Sequence, residues 1–446
     1  MSRDMKTFAH GIKELKHRKG ATEALPLLEM AAPKRVVLPM AQNLGVPAEP
    51  IVKVGDEVAE GQKIADSSKF VSAPIHATIA GKIAKIEKLP HPIGMSTLSI
   101  VIEGTGETQP ATRCETPITP ESATPDDIRK AVREAGIVGL GGAAFPTHVK
   151  LSPPAEKKID AIIINGCECE PFITIDHRLM LERTADIIFG ARLVARAVGS
   201  SRIIFGIENN KPDAIVKFKA ELNSLSMSPQ AEVVPLNTKY PQGGEKMLIK
   251  AILNREVPSK GGLPMDVGVV VQNVGTTLAI SEAVRFGTPL IRRAVTVTGS
   301  AVREPKNLLV RIGTSFEDIL QQCGGLTDDV VKVVMGGPMT GFAVSSLEVP
   351  VVKGTSCILA LNGTDAKAFE EGDCIRCGRC IRACPMGLMP NYLAVFTKQK
   401  NWDKVQEYHV TDCFECGCCS YVCPSRIFLV HYFRVAKREL QLRKTV

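Results

Sequence analysis

A chain of 446 residues is too long for one hydrophobic core and, at about 100 to 200 residues per domain, calls for three or four modules. Its hydrophobic content of 44% is that of an ordinary folded protein and excludes disorder throughout, and no run approaches the ~18 to 20 apolar residues of a membrane-spanning helix. A formal net charge of +8 is compatible with an acidic partner, an anionic membrane surface or nucleic acid; it is spread along the chain without an aromatic-basic motif, so nucleic acid is not expected.

The N-terminus, MSRDMKTFAHGIKELKHRKG, is charged and lacks the apolar centre of a secretory signal, so a cytoplasmic location is expected. In that reducing compartment the 14 cysteines read as metal ligands and not as disulfides. From Lys34 to Gly104 the segments RVVLP, EPIVKVGDEV and TLSIVIEG, punctuated by Gly and Pro, predict a small all-β unit. VGDEVAEGQKIA followed by SAPIHATIAGKIAKI resembles the barrel-sandwich domains that carry biotin or lipoyl groups, but the modifiable lysine of their turn is missing, and a structural barrel is expected. Residues 106–124, rich in Thr, Pro, Glu and Ser, read as a connection between domains.

Behind Thr124, PDDIRKAVREAG predicts a helix with an acidic first turn, leading into a glycine-rich loop. Strand, turn and helix then alternate through IDAIIING, a helical stretch over His177–Val198, SRIIFGIENNKPDAIVKFKAEL and a strand at Val269–Val271, the pattern of an α/β sheet with crossover helices. Residues 294–341 predict a small α+β unit with one helix over Ser315–Cys323 and a glycine turn, MGGPMTG. From Asp365 short helices alternate with cysteine-bearing turns, and the chain closes on the basic helix HYFRVAKRELQLRKTV.

That last part repeats itself, CIRCGRCIRACP being echoed by CFECGCCSYVCP. Cys374, Cys377, Cys380 and Cys384 precede Pro385, and Cys413, Cys416, Cys419 and Cys423 precede Pro424, each with the spacing of bacterial ferredoxins. In that pattern three thiolates of a turn grip one four-iron cluster and the fourth ligates the other. The resemblance implies one [4Fe-4S] cluster on Cys374, Cys377, Cys380 and Cys423 and a second on Cys413, Cys416, Cys419 and Cys384. Zinc also binds four cysteines, but zinc modules usually pair two C-x2-C knuckles without a fourth cysteine placed just before proline. Cys418 falls off the ligand spacing and reads as a buried neighbouring thiol.

Electrons for the clusters require a two-electron cofactor upstream. Gly139-Leu140-Gly141-Gly142-Ala143-Ala144, followed by Phe145 and Lys150, offers close backbone approach and a cation to a phosphate, although the same residues also serve as a plain glycine turn. INGCECEP brings Asn165, Glu168 and Glu170 to the turn after a strand, the edge where open α/β sheets bind ligands; a solvated acidic loop is the other reading.

Together with Gly243-Gly244-Glu245 and the turn at Asn273, these motifs resemble the flavin- and NADH-binding subunit of respiratory complex I. With the barrel and the paired cysteine runs added, roughly residues 7 to 435 resemble the RnfC family, a component of Rnf-type ferredoxin:NAD+ oxidoreductases. The resemblance implies a multidomain α/β chain: a barrel-sandwich hybrid within 1–105, a Rossmann-like FMN/NADH domain over 125–285, an SLBB-like α+β domain over 286–350 and a ferredoxin-type domain with two [4Fe-4S] clusters over 360–446. It further implies that Gly139, Gly141 and Gly142 wrap FMN with Lys150 near its phosphate, that Phe145 stacks on the nicotinamide nucleotide, and that Asn165, Glu168, Glu170, Glu245 and Asn273 line the flavin and NAD(H) pocket.

Departures are Leu140, Ala144 and Cys167, where the complex I pattern has Arg, Gly and Asp, and Ala9-His10-Gly11-Ile12, where the family has Gly-Gly-Ile-His. Implied partners are the membrane subunits of the complex and ferredoxin, met directly or through an iron–sulfur subunit. The implied location is peripheral, on the cytoplasmic face of the cell membrane, with Arg434, Lys437 and Arg438 serving either attachment or a solvated helix face. The related barrel-bearing component of sodium-pumping NADH:quinone oxidoreductase lacks the paired cysteine runs, and the cobalamin reductase of bacterial microcompartments orders its barrel differently. A conduit in which only the clusters work is the alternative to a flavin enzyme.

Overall fold

The structure, a computed structural model, describes residues 5–104, 119–225 and 230–444. Most of the expected linker, 105–118, lies outside the described residues.

Strand β1 (Leu27–Glu29) precedes a barrel-sandwich unit of β2 (Arg35–Pro39), β3 (Glu49–Pro50), β4 (Glu57–Val58), β5 (Lys63–Asp66), β6 (Ile75–His76), β7 (Gly81–Pro90) and β8 (Ser96–Gly104). An antiparallel sheet in the order β2-β8-β7-β4 faces the antiparallel trio β3-β5-β6. β-branched residues suit this pleated surface, and Val36, Ile64, Ile83, Ile100 and Ile102 are fully buried.

The α/β unit opens with α1 (Pro125–Glu134), whose start is fixed by a capping box between Thr124 and Asp127. The glycine loop and the single turn α2 (Thr147–Lys150) follow, then β9 (Ala161–Gly166), α3 (Ile175–Glu182), α4 (Thr184–Val198), β10 (Arg202–Glu208), α5 (Pro212–Ser224), β11 (Gln230–Leu236), α6 (Glu245–Leu253), β12 (Val269–Asn273) and α7 (Val274–Phe286). The stretch expected as one helix over 177–198 is two, because Arg183 leaves helical geometry at φ −130° and sends its guanidinium to Asp186 and Glu282.

All four strands are parallel, in the order β11-β10-β9-β12. Their apolar residues are buried on both faces, under α4 and α7 on one side and α6 on the other. Helices α4 and α7 touch closely enough that a Cβ on Gly190 would lie 2.1 Å from the carbonyl oxygen of Thr277. The chain leaves β9 toward β10 and β11 and returns to the other side of β9 with β12, so the order reverses between β9 and β12. Crevices at such reversals, outside the carboxyl ends of the strands, are where sheets of this kind bind ligands.

A six-stranded mixed sheet in the order β1-β14-β13-β17-β15-β16 combines β13 (Arg292–Thr298), β14 (Lys306–Arg311), β15 (Val330–Met335), β16 (Phe342–Ala343) and β17 (Cys357–Asn362), with α8 (Phe316–Gln322) against it. It draws β1 from the N-terminal segment onto its edge beside β14, and β17 from beyond residue 350 into its interior between β13 and β15. The N-terminal segment itself straps the α/β unit, with bridges from Lys6 to Leu236 and from Ile12 to Tyr240.

The C-terminal unit comprises α9 (Arg379–Ala383), α10 (Pro390–Lys398), α11 (Trp402–Glu407), α12 (Cys418–Tyr421) and α13 (Leu429–Lys444) around Leu393, Val405, Val410, Leu429 and Phe433. The repeat read in the sequence is physical: Gly378 and Gly417 both adopt positive φ at the start of α9 and α12, turning each cysteine run the same way. Among the described residues no helix is long and apolar enough to cross a membrane.

Candidate functional site

At the strand-order reversal, Asn165 at the end of β9 and Asn273 at the end of β12 are register partners. Asn273 caps α7, its Oδ1 accepting from the N–H groups of Gly275 (2.8 Å) and Thr276, while its Nδ2 donates to Asp176 Oδ2 at 2.6 Å. Asn165 donates to the carbonyl of Gly243 at 2.8 Å, tying β9 to the turn before α6.

The glycine loop lies on this pair. Gly139 N–H donates to the carbonyl of Phe145 (2.8 Å), Leu140 N–H to Thr276 Oγ1 (2.8 Å), and Arg293 Nη2 to the carbonyl of Leu140 (2.6 Å). A Cβ on Gly141 would meet Asn273 Nδ2 at 2.9 Å, whereas at Gly142 nothing lies within 4 Å. The loop is thus pinned on one side and open on the other, and Phe145 sits half-buried at its end. The barrel braces it: Leu44 N–H donates to the carbonyl of Ala144 at 3.1 Å, and the ring of His148 holds the Phe70 carbonyl at 2.9 Å. Lys150 reaches the sheet edge, 2.8 Å from Glu245 Oε1 at the start of α6 and 3.3 Å from the Val271 carbonyl.

Glu168 and Glu170 part company. Glu168, at φ +49° and buried, accepts from the Asp176 N–H through Oε1; its Oε2 has no hydrogen bond and faces Lys19 Nζ at 3.6 Å. Burial raises its pKa, with Lys19 opposing. Asp176 is likewise raised by burial, opposed by Arg293, whose own pKa burial pulls down to about 10. Glu170 turns to the MGGPMTG turn, accepting from Thr340 Oγ1 at 2.5 Å and Met339 N–H at 3.2 Å, with the Tyr240 hydroxyl 3.4 Å away. Cys167 is fully buried with its thiol raised by that burial.

A flavin nucleotide fits these residues. The loop has an open glycine face for a phosphate, a lysine stands at the same sheet edge, and a buried carboxylate oxygen is left without a hydrogen bond.

The two cysteine runs interleave in space. One hollow is lined by Cys374, Cys377 and Cys380 together with Cys423 and Pro424; the other is lined by Cys413, Cys416 and Cys419 together with Cys384 and Pro385. Among the described residues no three His, Cys, Asp or Glu side chains form a single-ion site. Each set is all-sulfur and set among apolar side chains, Val395, Ile427 and Leu429 in the first and Leu388, Val430 and Phe433 in the second, so both fit [4Fe-4S] clusters. Cys418 is fully buried beside the second set.

Cys374 and Cys377 are exposed, whereas Cys384, Cys416 and Cys419 are buried, and Cys416 packs with Cys418 against Ile12, Leu15 and Tyr240, where this unit docks on the α/β unit. There the Tyr240 hydroxyl donates to the carbonyl of Cys416 at 2.7 Å, and the ring of Phe414 lies 3.4 Å from where a Gly244 Cβ would stand. Arg434 and Lys437 of α13 hold Glu415 at 2.8 Å each, and Lys437 also donates to the Cys413 carbonyl. These two basic residues therefore fix the second cysteine turn and do not form a free solvated face.

Residues that sequence patterns did not point to complete the site. Lys19 donates from Nζ to the carbonyls of Glu168 (2.8 Å), Glu170 (3.1 Å) and Ile173. Asp176, Arg293 and Tyr240 tie neighbouring elements together. Asp176 had a signal, as an acid opening a helix just after INGCECEP; Lys19, in a run of surface-like charges, had none.

A glycine loop on a parallel sheet, joined in one chain to two interleaved four-thiol hollows, defines a flavin and iron–sulfur electron-transfer protein. Residues 132–282 match the family described as the Nuo51 FMN-binding domain, 6–107 the RnfC Barrel sandwich hybrid domain, 294–343 the SLBB domain and 373–427 the 4Fe-4S dicluster domain. The chain is 46% identical to the C subunit of the proton-translocating ferredoxin:NAD(+) oxidoreductase complex of Clostridium ljungdahlii, over 98% of this chain and 94% of that one. It is 44% identical to the Na(+)-translocating counterpart of Acetobacterium woodii, over 97% of each. It belongs to the RnfC family of ion-translocating ferredoxin:NAD+ oxidoreductase complexes. A solved NAD+-reducing [NiFe]-hydrogenase in its H2-reduced state shares the fold at 18% identity, with a TM-score of 0.53 over 72% of this chain and 64% of that one.

Proposed function

We propose that this chain is the electron-input subunit of such a complex, binding FMN in the crevice between β9 and β12 and exchanging a hydride with NAD(H) there. Bound FMN supplies the conversion between two-electron and one-electron chemistry. The protein's part is to hold and to insulate. Gly139, Gly141 and Gly142 admit the flavin phosphate to the backbone with Lys150 beside it, and Phe145 packs on the nicotinamide nucleotide. Asn165, Glu168, Glu245 and Asn273 line the pocket, and Glu170 fixes the wall shared with the MGGPMTG turn.

The observation that carries this reading is the docking of the second cysteine turn on the α/β unit through Tyr240 and Phe414. With the buried thiol set on the side of the crevice and the exposed set beyond it, electrons cross one cluster site and then the other. Cys413, Cys416, Cys419 and Cys384 hold the inner cluster, and Cys374, Cys377, Cys380 and Cys423 the outer one. The partners are membrane subunits of an Rnf-type complex and, directly or through an iron–sulfur subunit, ferredoxin. The chain sits on the cytoplasmic face of the membrane, its electron flow coupled through those subunits to Na+ or H+ movement.

The test is FMN binding to the purified chain, followed by quenching of flavin fluorescence. Wild type should bind at one equivalent, and Gly141→Leu, which drives a side chain into Asn273, should abolish binding while both clusters remain. Equal binding by the variant, or none by wild type, refutes the site; the latter would leave a conduit in which the clusters alone work.

A further inference from the structure

Glu170 belongs to the turn that follows β9, at the crevice, yet its carboxylate is engaged by the MGGPMTG turn. Oε1 accepts from Thr340 Oγ1 at 2.5 Å and Oε2 from Met339 N–H at 3.2 Å, and a side chain at Gly337 would collide with Oε2. The residues that hold this carboxylate also hold the second cysteine turn. The Tyr240 hydroxyl, 3.4 Å from Glu170 Oε1, donates to the Cys416 carbonyl at 2.7 Å. Met339 crowds Gly417, where a Cβ would lie 2.7 Å from the Met339 carbonyl oxygen, and both Met339 and Cys169 pack with Cys416 and Cys418. Glu170 is therefore one residue removed, through Tyr240 and again through Met339, from the turn that carries the inner thiols.

A neighbouring cation does not cancel its charge. Lys19 donates to the backbone carbonyl of Glu170 at 3.1 Å, but across from its ammonium, at 3.6 Å, stands the carboxylate of Glu168. The neutral donors Thr340 and Met339 favour the ionised form of Glu170 against the burial that raises its pKa. The outer thiols have the opposite surroundings, Arg376 and Lys398 lining their hollow with Asp373.

We infer that Glu170 is a positioning residue for electron transfer, one that holds down the reduction potential of the inner cluster site and leaves the outer one unaffected. The inference rests on Cys413, Cys416, Cys419 and Cys384 holding that inner cluster. Reduction there adds one electron, and with it one negative charge, next to a carboxylate across a partly buried interface where Coulomb interactions exceed those in water. Local charge and exposure tune such potentials. An inner site disfavoured in this way passes its electron on and does not store it.

The experiment is an anaerobic redox titration of the full chain, reconstituted with iron, sulfide and FMN, at fixed pH and followed by low-temperature EPR. The inner signal is the one lost in Cys413→Ser, the outer the one lost in Cys374→Ser. Glu170→Gln, which keeps the shape and removes the charge, should shift the inner equilibrium roughly fivefold or more toward the reduced form and the outer one less than about twofold. Glu170→Asp disturbs the same hydrogen bonds but keeps the charge, and should move the inner equilibrium less than about twofold. Thr340→Lys, at an exposed position, brings an ammonium within reach of the same carboxylate and should shift it in the direction of Glu170→Gln by roughly threefold. A merely structural role would make Glu170→Asp shift the inner site at least as far as Glu170→Gln. That order, or no shift from Glu170→Gln and Thr340→Lys, overturns the inference. Bound FMN is measured on the same preparations. If no FMN binds and the inner potential still moves as stated, the role of Glu170 stands and the flavin reading falls; if FMN binds and the potential does not move, only the role of Glu170 falls.

Discussion

Lys19 is the perturbation on which the packing around the site bears hardest. Its side chain is 6% exposed, and its ammonium spends its donors on the carbonyls of Glu168, Glu170 and Ile173 while facing the Glu168 carboxylate at 3.6 Å. Lys19→Met keeps the apolar stem and removes the charge, leaving those carbonyls and a buried carboxylate unpaired. Breaking a buried pair in this way costs about 3 to 5 kcal/mol, since the orphaned groups lose water as well as partner. At about 2 to 4 °C per kcal/mol for a unit of this size, the melting midpoint should fall by roughly 6 to 20 °C. Because Lys19 opposes the burial that raises the Glu168 pKa, the variant should also hold Glu168 protonated to higher pH. Differential scanning calorimetry of the flavin-loaded chain measures the first effect, with Lys13→Met on the same segment, where the lysine is exposed, expected to change stability by less than about 0.5 kcal/mol. If Lys19→Met melts within about 2 °C of wild type, the strap does not hold the INGCECEP turn and the account of the pocket wall is wrong.

Three further outcomes follow from the geometry. His76, buried in the barrel and lowered to about 3 by burial and then by Lys353 and Lys63, is neutral in the fold, so its contribution is complete above 6.5 and is lost as pH falls toward 3. Chemical denaturation at about pH 7.5 and about pH 5 should show wild type losing about 2 kcal/mol more than His76→Phe; equal losses would place His76 elsewhere. Cys423→Ser should remove the same low-temperature EPR signal as Cys374→Ser, and Cys384→Ser the same as Cys413→Ser; pairing by run instead of across runs would refute the interleaved ligation. Tyr240→Phe, which leaves the Cys416 carbonyl without its hydroxyl donor, should slow cluster reduction by NADH while flavin bleaching keeps its rate, as stopped-flow absorption at the two bands would resolve.

The elements that the sequence made legible are those whose signals are local. Thr124 and Asp127 announce the start of α1, the alternation from Ile159 announces a parallel sheet, and eight cysteines at ferredoxin spacing announce two cluster sites. The interleaving of Cys423 and Cys384 with the other run's thiols was also readable, through the resemblance of both runs to bacterial ferredoxins. What the sequence hid was long-range. β1 and β17 join a sheet from outside the stretch expected to form it, and Lys19 reaches across some 149 residues to the Glu168 turn. Glu168 and Glu170, two residues apart, looked like equal candidates for the pocket. A positive φ at Glu168 turns one carboxylate toward Asp176 and Lys19, while the other is drawn to Thr340, a contact that only the tertiary fold creates.

The measurement closest to the central claim is an anaerobic NADH titration of the chain reconstituted with iron, sulfide and FMN, followed by visible absorption and low-temperature EPR. The account predicts that the flavin band bleaches and that signals from two clusters grow with added NADH. If dithionite reduces the clusters while NADH changes neither band nor signal, the crevice between β9 and β12 does not join a hydride to the thiol-held clusters, and the account fails at its centre.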